Sequence, residues 1–248
     1  MLAATATTLL TACGARPAAA PSTYATPVPA DTRQLLVVIT PSWDSVSGSL
    51  YRFERQDARG EWRAAGSPVA VVLGRSGMAW GRGLYDASRD AGPAKREGDA
   101  RSPAGVFRLG TAFGFDSAEL RMPYVQLTAT SECVDDPTSA HYNTLIDRTS
   151  VSRADWASSE HMRDEVPFYR LGVFVQHNTL PATPGAGSCI FIHVWGSPTT
   201  PTTGCTALDE SQLRGIVAWL DADADPVLVQ LPLPEYKRHH AAWGLPLL

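Results

Sequence analysis

The chain has 248 residues, of which 44% are hydrophobic and 19% charged, a balance that excludes a disordered protein and provides enough apolar material for a sizeable core. With 21 basic against 25 acidic residues, the formal net charge is −4, so nucleic-acid binding has no electrostatic support. No run approaches the roughly 18 apolar residues that a transmembrane helix needs.

The first thirty-odd residues predict targeting rather than fold. Met1 to Ala12 are small and apolar, and Leu10-Thr11-Ala12-Cys13 resembles the bacterial lipobox, in which the cysteine receives a lipid after cleavage. We therefore expect a signal segment over residues 1–13 and a flexible Ala/Pro-rich tether over 14–33. Residues 34–248 then form one domain, held at the bacterial cell envelope, on the periplasmic side, through lipid on Cys13.

The 20 glycines and 19 prolines of the whole chain imply many turns and short elements, which predicts a β-rich domain. A glycine-rich polar stretch over residues 74–101 predicts a long surface loop. Before and after that loop, apolar or alternating runs predict strands at residues 35–39, 49–54, 68–73, 106–109 and 124–127.

The second half of the body alternates helix and strand signals. Residues 158–166 predict a short helix, and the alternation over 168–177 predicts a strand. In residues 189–194, apolar side chains point to one face and Cys189, Phe191 and His193 to the other. Asp209 predicts a helix cap before the apolar stripe of residues 213–220, and residues 227–231 predict the last strand.

Cysteine chemistry gives the first functional hypothesis. With Cys13 lipidated, three cysteines remain, which in an oxidising compartment can form one disulfide and leave one free thiol. His193 lies on a strand and Cys205 on the turn after it, and an imidazole that takes a thiol proton creates a strong nucleophile. Gly204 permits close approach of substrate. Taken singly, a cysteine or a strand histidine is more often a core residue.

The amino-acid sequences of two stretches strengthen this hypothesis. Ser188-Cys189-Ile190-Phe191-Ile192-His193, followed by Thr202-Thr203-Gly204-Cys205-Thr206, resembles the catalytic motif of the YkuD-type L,D-transpeptidases. Upstream, Gly98-Asp99-Ala100-Arg101-Ser102-Pro103-Ala104-Gly105-Val106-Phe107 is similar to a second signature of that family. The resemblance implies a mainly β, β-rich α+β fold: a mixed β-sandwich with a few flanking helices.

The resemblance also implies the roles of individual residues. Cys205 would be the nucleophile and His193 the general base, with the amides of Gly204 and Cys205 facing the oxyanion. Thr203 and Trp195 are candidate substrate contacts beside them. Arg101 is a further candidate, for an anionic substrate group, although its motif favours a structural role. The chain departs from the family in having no arginine shortly after Cys205 and a short His-to-Cys spacing.

The implied reaction is acyl transfer in the cell wall. The thiolate would attack the bond between an L-centre and D-Ala in a peptidoglycan tetrapeptide stem, and an amine on a second stem or a lipoprotein lysine would accept the acyl group. Because Cys205 must then be reduced, Cys133 and Cys189 are the candidate disulfide. Hydrolysis by the same site, as a carboxypeptidase or endopeptidase, and a catalytically inactive peptidoglycan-binding lipoprotein remain alternatives. No cofactor, metal or nucleic acid is implied.

Overall fold

A computed structural model describes residues 26–58, 60–179 and 181–248. Cys13, the predicted signal segment and most of the predicted tether lie outside the described residues, so the lipidation hypothesis stays a prediction. Among the residues described, no helix has both the length and the apolar character needed to span a membrane.

The described chain is built mainly from strands, as predicted. The strands are β1 Gln34–Thr40, β2 Ser47–Glu54, β3 Arg63–Ala64, β4 Val69–Val72, β5 Met78–Trp80, β6 Ser102–Gly114, β7 Tyr124–Gln126, β8 Ser131–Val134, β9 Leu145–Asp147, β10 Ser159–His161, β11 Leu171–Val175, β12 Phe191–Val194, β13 Thr206–Leu208 and β14 Val227–Pro232. The two α-helices are α1 Glu210–Trp219 and α2 Leu233–Trp243.

Most strands belong to one large mixed sheet. Its order is β1-β14-β6-β11-β12-β13-β4-β2-β3, and β1 also pairs with β2, so the sheet closes on itself. The β1–β14 and β12–β13 pairs are parallel, whereas β6 pairs antiparallel with both β11 and β14. Closure encloses an apolar core, against which α1 packs Leu213, Ile216 and Val217.

A second, three-stranded sheet has the order β10-β8-β9. The prediction of a helix over residues 158–166 is wrong, because Ser159–His161 forms β10 and pairs antiparallel with β8. The predicted strand over 168–177 also begins later than expected, because Phe168–Arg170 makes a single 3-10 turn before β11. Short segments such as these carry too few residues for periodicity to separate helix from strand.

The sequence explains where α1 begins and where α2 ends. Asp209 caps α1 as predicted, since its side chain accepts from the amides of Ser211 and Gln212. Helix α2 was not predicted, and its last turn ends at Gly244, which has a φ of 64°.

The domain begins earlier than the predicted boundary at residue 34. Val28 is buried in the main core, Thr32 is fully buried, and the Thr26 hydroxyl donates to the carbonyl of Trp243. Residues 26–33 therefore belong to the folded body rather than to a tether. Their Ala/Pro/Thr-rich composition is equally compatible with a segment that packs and one that does not, so composition alone misplaced the boundary.

Candidate active site

The pairing of β12 with β13 places the two candidate reacting side chains on one face. Ile192 is opposite Thr206 and His193 is opposite Ala207 in this parallel pair. Because directly opposed residues share a face and neighbours along a strand alternate, Cys205, one residue before Thr206, projects to the same side as His193. The sequence pattern therefore brings the thiol and the imidazole together.

A cavity of about 220 Å³ opens over this face, and both His193 and Cys205 line it. Thr203 and Trp195, the two other predicted contacts near the motif, line it as well. The remaining lining residues are Glu165, Phe168, Tyr169, Gly196, Thr200, Pro201, Thr202 and Ala207. The cavity is thus walled by aromatic rings on one side and by the threonine- and proline-rich loop on the other.

The Cys205 thiol is buried and protonated at rest. Its Sγ donates to the carbonyl of Cys189 at 3.5 Å and accepts from the amide of Phe191 at 3.3 Å. Burial raises the pKa of the thiol far above its usual value, and the nearby carboxyl of Glu160 raises it further. A base must therefore remove the proton before the sulfur can act as a nucleophile.

The His193 imidazole is in the form required of such a base. Its Nδ1 lies 2.8 Å from the carbonyl of Val194, and since a carbonyl can only accept, Nδ1 carries the hydrogen and Nε2 is left as the acceptor. Burial lowers the pKa of His193 to about 4, so the ring is neutral at pH 7. The ring and the thiol share the cavity but do not hydrogen bond to each other, and such bonds often tighten only when substrate binds.

The turn that carries Cys205 is held by the upstream signature. The carbonyl of Cys205 accepts from the hydroxyls of Ser102 at 3.0 Å and Thr202 at 2.6 Å. Gly204 has a φ of 156°, and a side chain there would meet the carbonyl of Arg101 at 3.3 Å. The two motifs, far apart in sequence, therefore meet at the backbone of Gly204 and Cys205.

One predicted oxyanion donor is already engaged. The amide of Gly204 donates to the hydroxyl oxygen of Thr202 at 3.1 Å, so it does not point freely into the cavity. This is a correction to the sequence prediction, which assigned the amides of both Gly204 and Cys205 to the oxyanion. The hydroxyl of Thr202 bridges the turn, accepting from Gly204 and donating to the carbonyl of Cys205, and this bridge was not visible from the motif.

Comparison with known proteins agrees with the geometry. The family model for YkuD, the L,D-transpeptidase catalytic domain, matches residues 45–229, well over half of the chain. The chain belongs to the L,D-transpeptidase family. No curated protein and no solved structure matched it.

Arg101 does not line this cavity. Its guanidinium donates to the carbonyl of Met78 at 2.9 Å and pairs with Asp44 at 3.2 Å. The prediction of a substrate contact is therefore corrected to a structural one. None of the described residues lining the cavity is a lysine or an arginine, and Ala207, on the face of the reacting pair, is fully buried.

The remaining cysteines form a disulfide. Cys133 of β8 and Cys189 are joined, and Cys205 is free, which is the pairing expected from the need for a reduced nucleophile. Cys189 adopts a φ of 52°, a left-handed conformation that is uncommon for a residue with a side chain. It stands just before β12, and its carbonyl is the acceptor for the resting Cys205 thiol.

His177, the other histidine at a strand end, has both ring nitrogens in use. Nδ1 accepts from the amide of Arg82 at 3.1 Å and Nε2 donates to the carbonyl of Ala186 at 3.0 Å. Burial lowers its pKa to about 3, so it is a neutral, structural residue. Within the described ranges, no group of three or more His, Cys, Asp or Glu side chains could hold a metal ion.

Sequence reasoning missed the aromatic wall beside the imidazole. The rings of Phe168 and Tyr169 both contact His193, with centroids 6.2 and 5.3 Å away and nearly perpendicular planes. The predicted strand would have sent these neighbours to opposite faces, whereas the 3-10 turn brings both to one ring. Their adjacency just before an apolar strand is the only sequence signal for this wall.

Proposed function

We propose that the protein is a cysteine acyl-transferase of the cell wall, which takes the acyl group of a peptidoglycan tetrapeptide stem and passes it to an amine. Membership of the L,D-transpeptidase family supports the class of reaction. The observation that carries the proposal is the single cavity lined by a buried free thiol and a neutral imidazole whose Nε2 is the acceptor.

In the first half of the proposed reaction, the Sγ proton of Cys205 passes to Nε2 of His193. The thiolate attacks the carbonyl carbon of the bond between the L-centre and the terminal D-Ala, with the amide of Cys205 facing the developing oxyanion. The C–N bond then breaks, the imidazolium gives its proton to the leaving amine, and D-Ala departs. The acyl group remains on Cys205 as a thioester.

In the second half, an acceptor amine attacks the thioester carbon and gives its proton to the imidazole. The C–S bond breaks, and the sulfur recovers a proton from His193, so that no proton or electron is left over. Phe168, Tyr169 and Trp195 wall the cavity with apolar surface, and a site that limits water favours aminolysis over hydrolysis. The same walls hold the donor stem without a cationic partner, since no lysine or arginine is among the described lining residues.

The proposed place of action is the bacterial envelope, on its periplasmic side, with the lipid on Cys13 as anchor. The Cys133–Cys189 disulfide supports an oxidising compartment, where such bonds form and persist. The peptidoglycan stem and the amine acceptor are the proposed partners.

Intact-mass measurement of the protein incubated with tetrapeptide muropeptides tests the proposal. We expect an adduct equal to the donor stem minus D-Ala, absent from the Cys205→Ala variant. Added amine acceptor should discharge the adduct into a cross-linked product faster than water discharges it into a tripeptide. If the wild-type mass stays unchanged while the stem is bound, the protein is a binding module. If the amine does not alter the product, the enzyme is a hydrolase.

A further inference from the structure

The small sheet of β8, β9 and β10 reaches both reacting side chains by two separate routes. Its strand pair β10–β8 places Glu160 directly opposite Cys133. Glu160 leads to the imidazole of His193, and Cys133 leads to the thiol of Cys205. Three residues of one buried apolar cluster, Cys133, Tyr169 and Cys205, mark where the routes converge.

The route to the thiol is covalent. Cys133 is bonded to Cys189, whose carbonyl accepts the hydrogen bond of the Cys205 thiol at 3.5 Å. The disulfide therefore fixes the position of the atom that holds the resting Sγ–H.

The route to the imidazole runs through Tyr169. Its phenol hydroxyl donates to Oε2 of Glu160 at 2.5 Å, and its ring meets the His193 ring edge to face at 5.3 Å and 84°. Tyr169 is 6% exposed, so its hydroxyl depends on Glu160 for a partner. Tyr169 also contacts Phe113 and Phe191, which fix the remaining sides of its ring.

Simple packing does not account for this pair. A phenylalanine would provide the same edge-to-face ring contact without requiring a carboxyl beneath it, and a carboxyl removed from water costs free energy. Burial, with Asp135, Glu165 and Glu97 nearby, raises the pKa of Glu160 to about 7 despite the hydrogen bond from Tyr169. The chain thus keeps a costly acid at this position, and the contact it makes is with the phenol behind the general base.

We propose that Tyr169, anchored by Glu160, is a positioning residue that fixes the orientation of the His193 imidazole towards Cys205. The small sheet then acts as a clamp: through Glu160 and Tyr169 it holds the base, and through the disulfide it holds the thiol. This inference rests on the proposed function, in which His193 takes the Cys205 proton. A ring free to tilt would place Nε2 away from the sulfur, and such misplacement reduces the rate of the chemical step rather than substrate binding.

The test compares Tyr169→Phe, Glu160→Leu and the double variant by kinetics. Either single change removes the anchoring hydrogen bond, and we expect kcat to fall about tenfold with KM within about twofold of wild type. The double variant should lose no more than either single variant, because both act through one contact. Glu160→Gln keeps an acceptor for the phenol and should recover most of kcat.

A matched control is available outside the cavity. Tyr85 donates its hydroxyl to Asp90 at 2.5 Å, the same phenol–carboxyl arrangement, and Tyr85→Phe should leave kcat unchanged. Alkylation of Cys205 by iodoacetamide gives a readout that needs no stem peptide. Its rate should fall about fivefold in Tyr169→Phe, which leaves the Glu160 carboxyl in place, and stay at the wild-type value in Tyr85→Phe.

The outcomes separate this inference from the proposed function. If Tyr169→Phe lowers the melting temperature but leaves kcat and the alkylation rate unchanged, the pair is structural and the inference is wrong. Additive losses in the double variant would also overturn it. If wild-type protein forms no acyl adduct but the alkylation rates follow the expected order, the proposed function fails while the positioning role stands.

Discussion

The two faces of strand β12 differ in what they contact: one packs in the main core and the other faces the candidate active site. On one face, Ile192 and Val194 enter the closed sheet's apolar core, where they are 1% and 4% exposed. On the other, Phe191 belongs to a smaller cluster that holds the disulfide, Tyr169 and Cys205, and His193 contacts the Tyr169 ring. Both faces are buried, yet only the second carries groups that can exchange a proton.

The difference shows what burial does on each face. On the core face it removes apolar surface from water and stabilises the fold. On the site face it keeps both reacting groups neutral, because it raises the pKa of Cys205 and lowers that of His193 to about 4. A thiol and an imidazole at rest without charge can be held in an apolar pocket until a substrate aligns them.

The largest expected effect is on the site face. His193→Gln should lower kcat/KM for acyl transfer by about 10²–10⁴-fold, because it removes the imidazole that takes the thiol proton in the proposed reaction. The melting temperature should change little. A matched control is His177→Gln, which loses two hydrogen bonds of a buried ring and should lower stability while kcat is retained. A large stability loss in His193→Gln alone would break the contrast between the faces.

Next in size is a change on the core face. Ile192→Ala should lower the free energy of unfolding by about 2–5 kcal/mol, since a fully buried side chain is replaced by a cavity. Ile192→Val, the conservative control, should cost about 1 kcal/mol. Urea unfolding measures both, and kcat per folded molecule should stay close to wild type. A fall in kcat as large as that in His193→Gln would show that the two faces are not separable.

Acid should lower the stability of the fold through two buried histidines. The pKa values of His193 and His177 are lowered by burial to about 4 and about 3, from an ordinary 6.5. Below pH 6.5 the unfolded chain therefore binds protons that the folded chain does not, and the free energy of unfolding falls by up to about 1.4 kcal/mol per pH unit for each histidine.

Glu160 opposes this loss. Its pKa is raised from 4.5 to about 7, so between those values the folded chain binds a proton that the unfolded chain lacks. Its contribution is complete below 4.5 and disappears as the pH rises through 7. Two histidines outweigh one carboxyl, and we expect lower stability at pH 5 than at pH 7 by urea unfolding. Glu160→Gln should steepen the loss, and an unchanged or shallower slope would contradict the assignment.

The sequence predicted the centre of the site better than its surroundings. Strand alternation over residues 189–194 placed His193 on the face away from the core, and the glycine before Cys205 marked the turn, so local pattern was sufficient. The fold class followed from composition and from the family resemblance. What composition did not separate was a packed from an unpacked Ala/Pro-rich segment at residues 26–33, where Val28 is buried.

The parts that were missed depend on contacts between distant segments. Tyr169 and Glu160 gain their roles from neighbours brought in by the fold, and neither stands in a motif that indicates its partner. Residues 158–166 show the same difficulty. Strand β10 forms because it pairs with β8, and its own hydrophobic periodicity does not predict a strand. A local sequence pattern does not indicate which distant strand a segment will pair with.

The smallest expected effect concerns Arg101, the predicted substrate contact that the structure places elsewhere. Its side chain is one-quarter exposed and its partner Asp44 is 82% exposed, so the ion pair is worth at most about 1 kcal/mol. The hydrogen bond to the carbonyl of Met78 adds a similar amount. Arg101→Met, which keeps the length of the side chain, should therefore lower stability slightly and leave KM for the donor stem within about twofold.

The same variant sharpens the comparison between the faces. Arg101 precedes Ser102, whose hydroxyl donates to the carbonyl of Cys205 and so supports the turn that carries Cys205, whereas the Arg101 guanidinium donates to the carbonyl of Met78 outside the cavity. If this hydroxyl supports the site and the guanidinium does not, Ser102→Ala should lower kcat more than Arg101→Met does. A tenfold rise in KM for Arg101→Met with unchanged stability would instead show that this guanidinium contacts the substrate. The substrate-binding site would then extend beyond the residues that line the cavity.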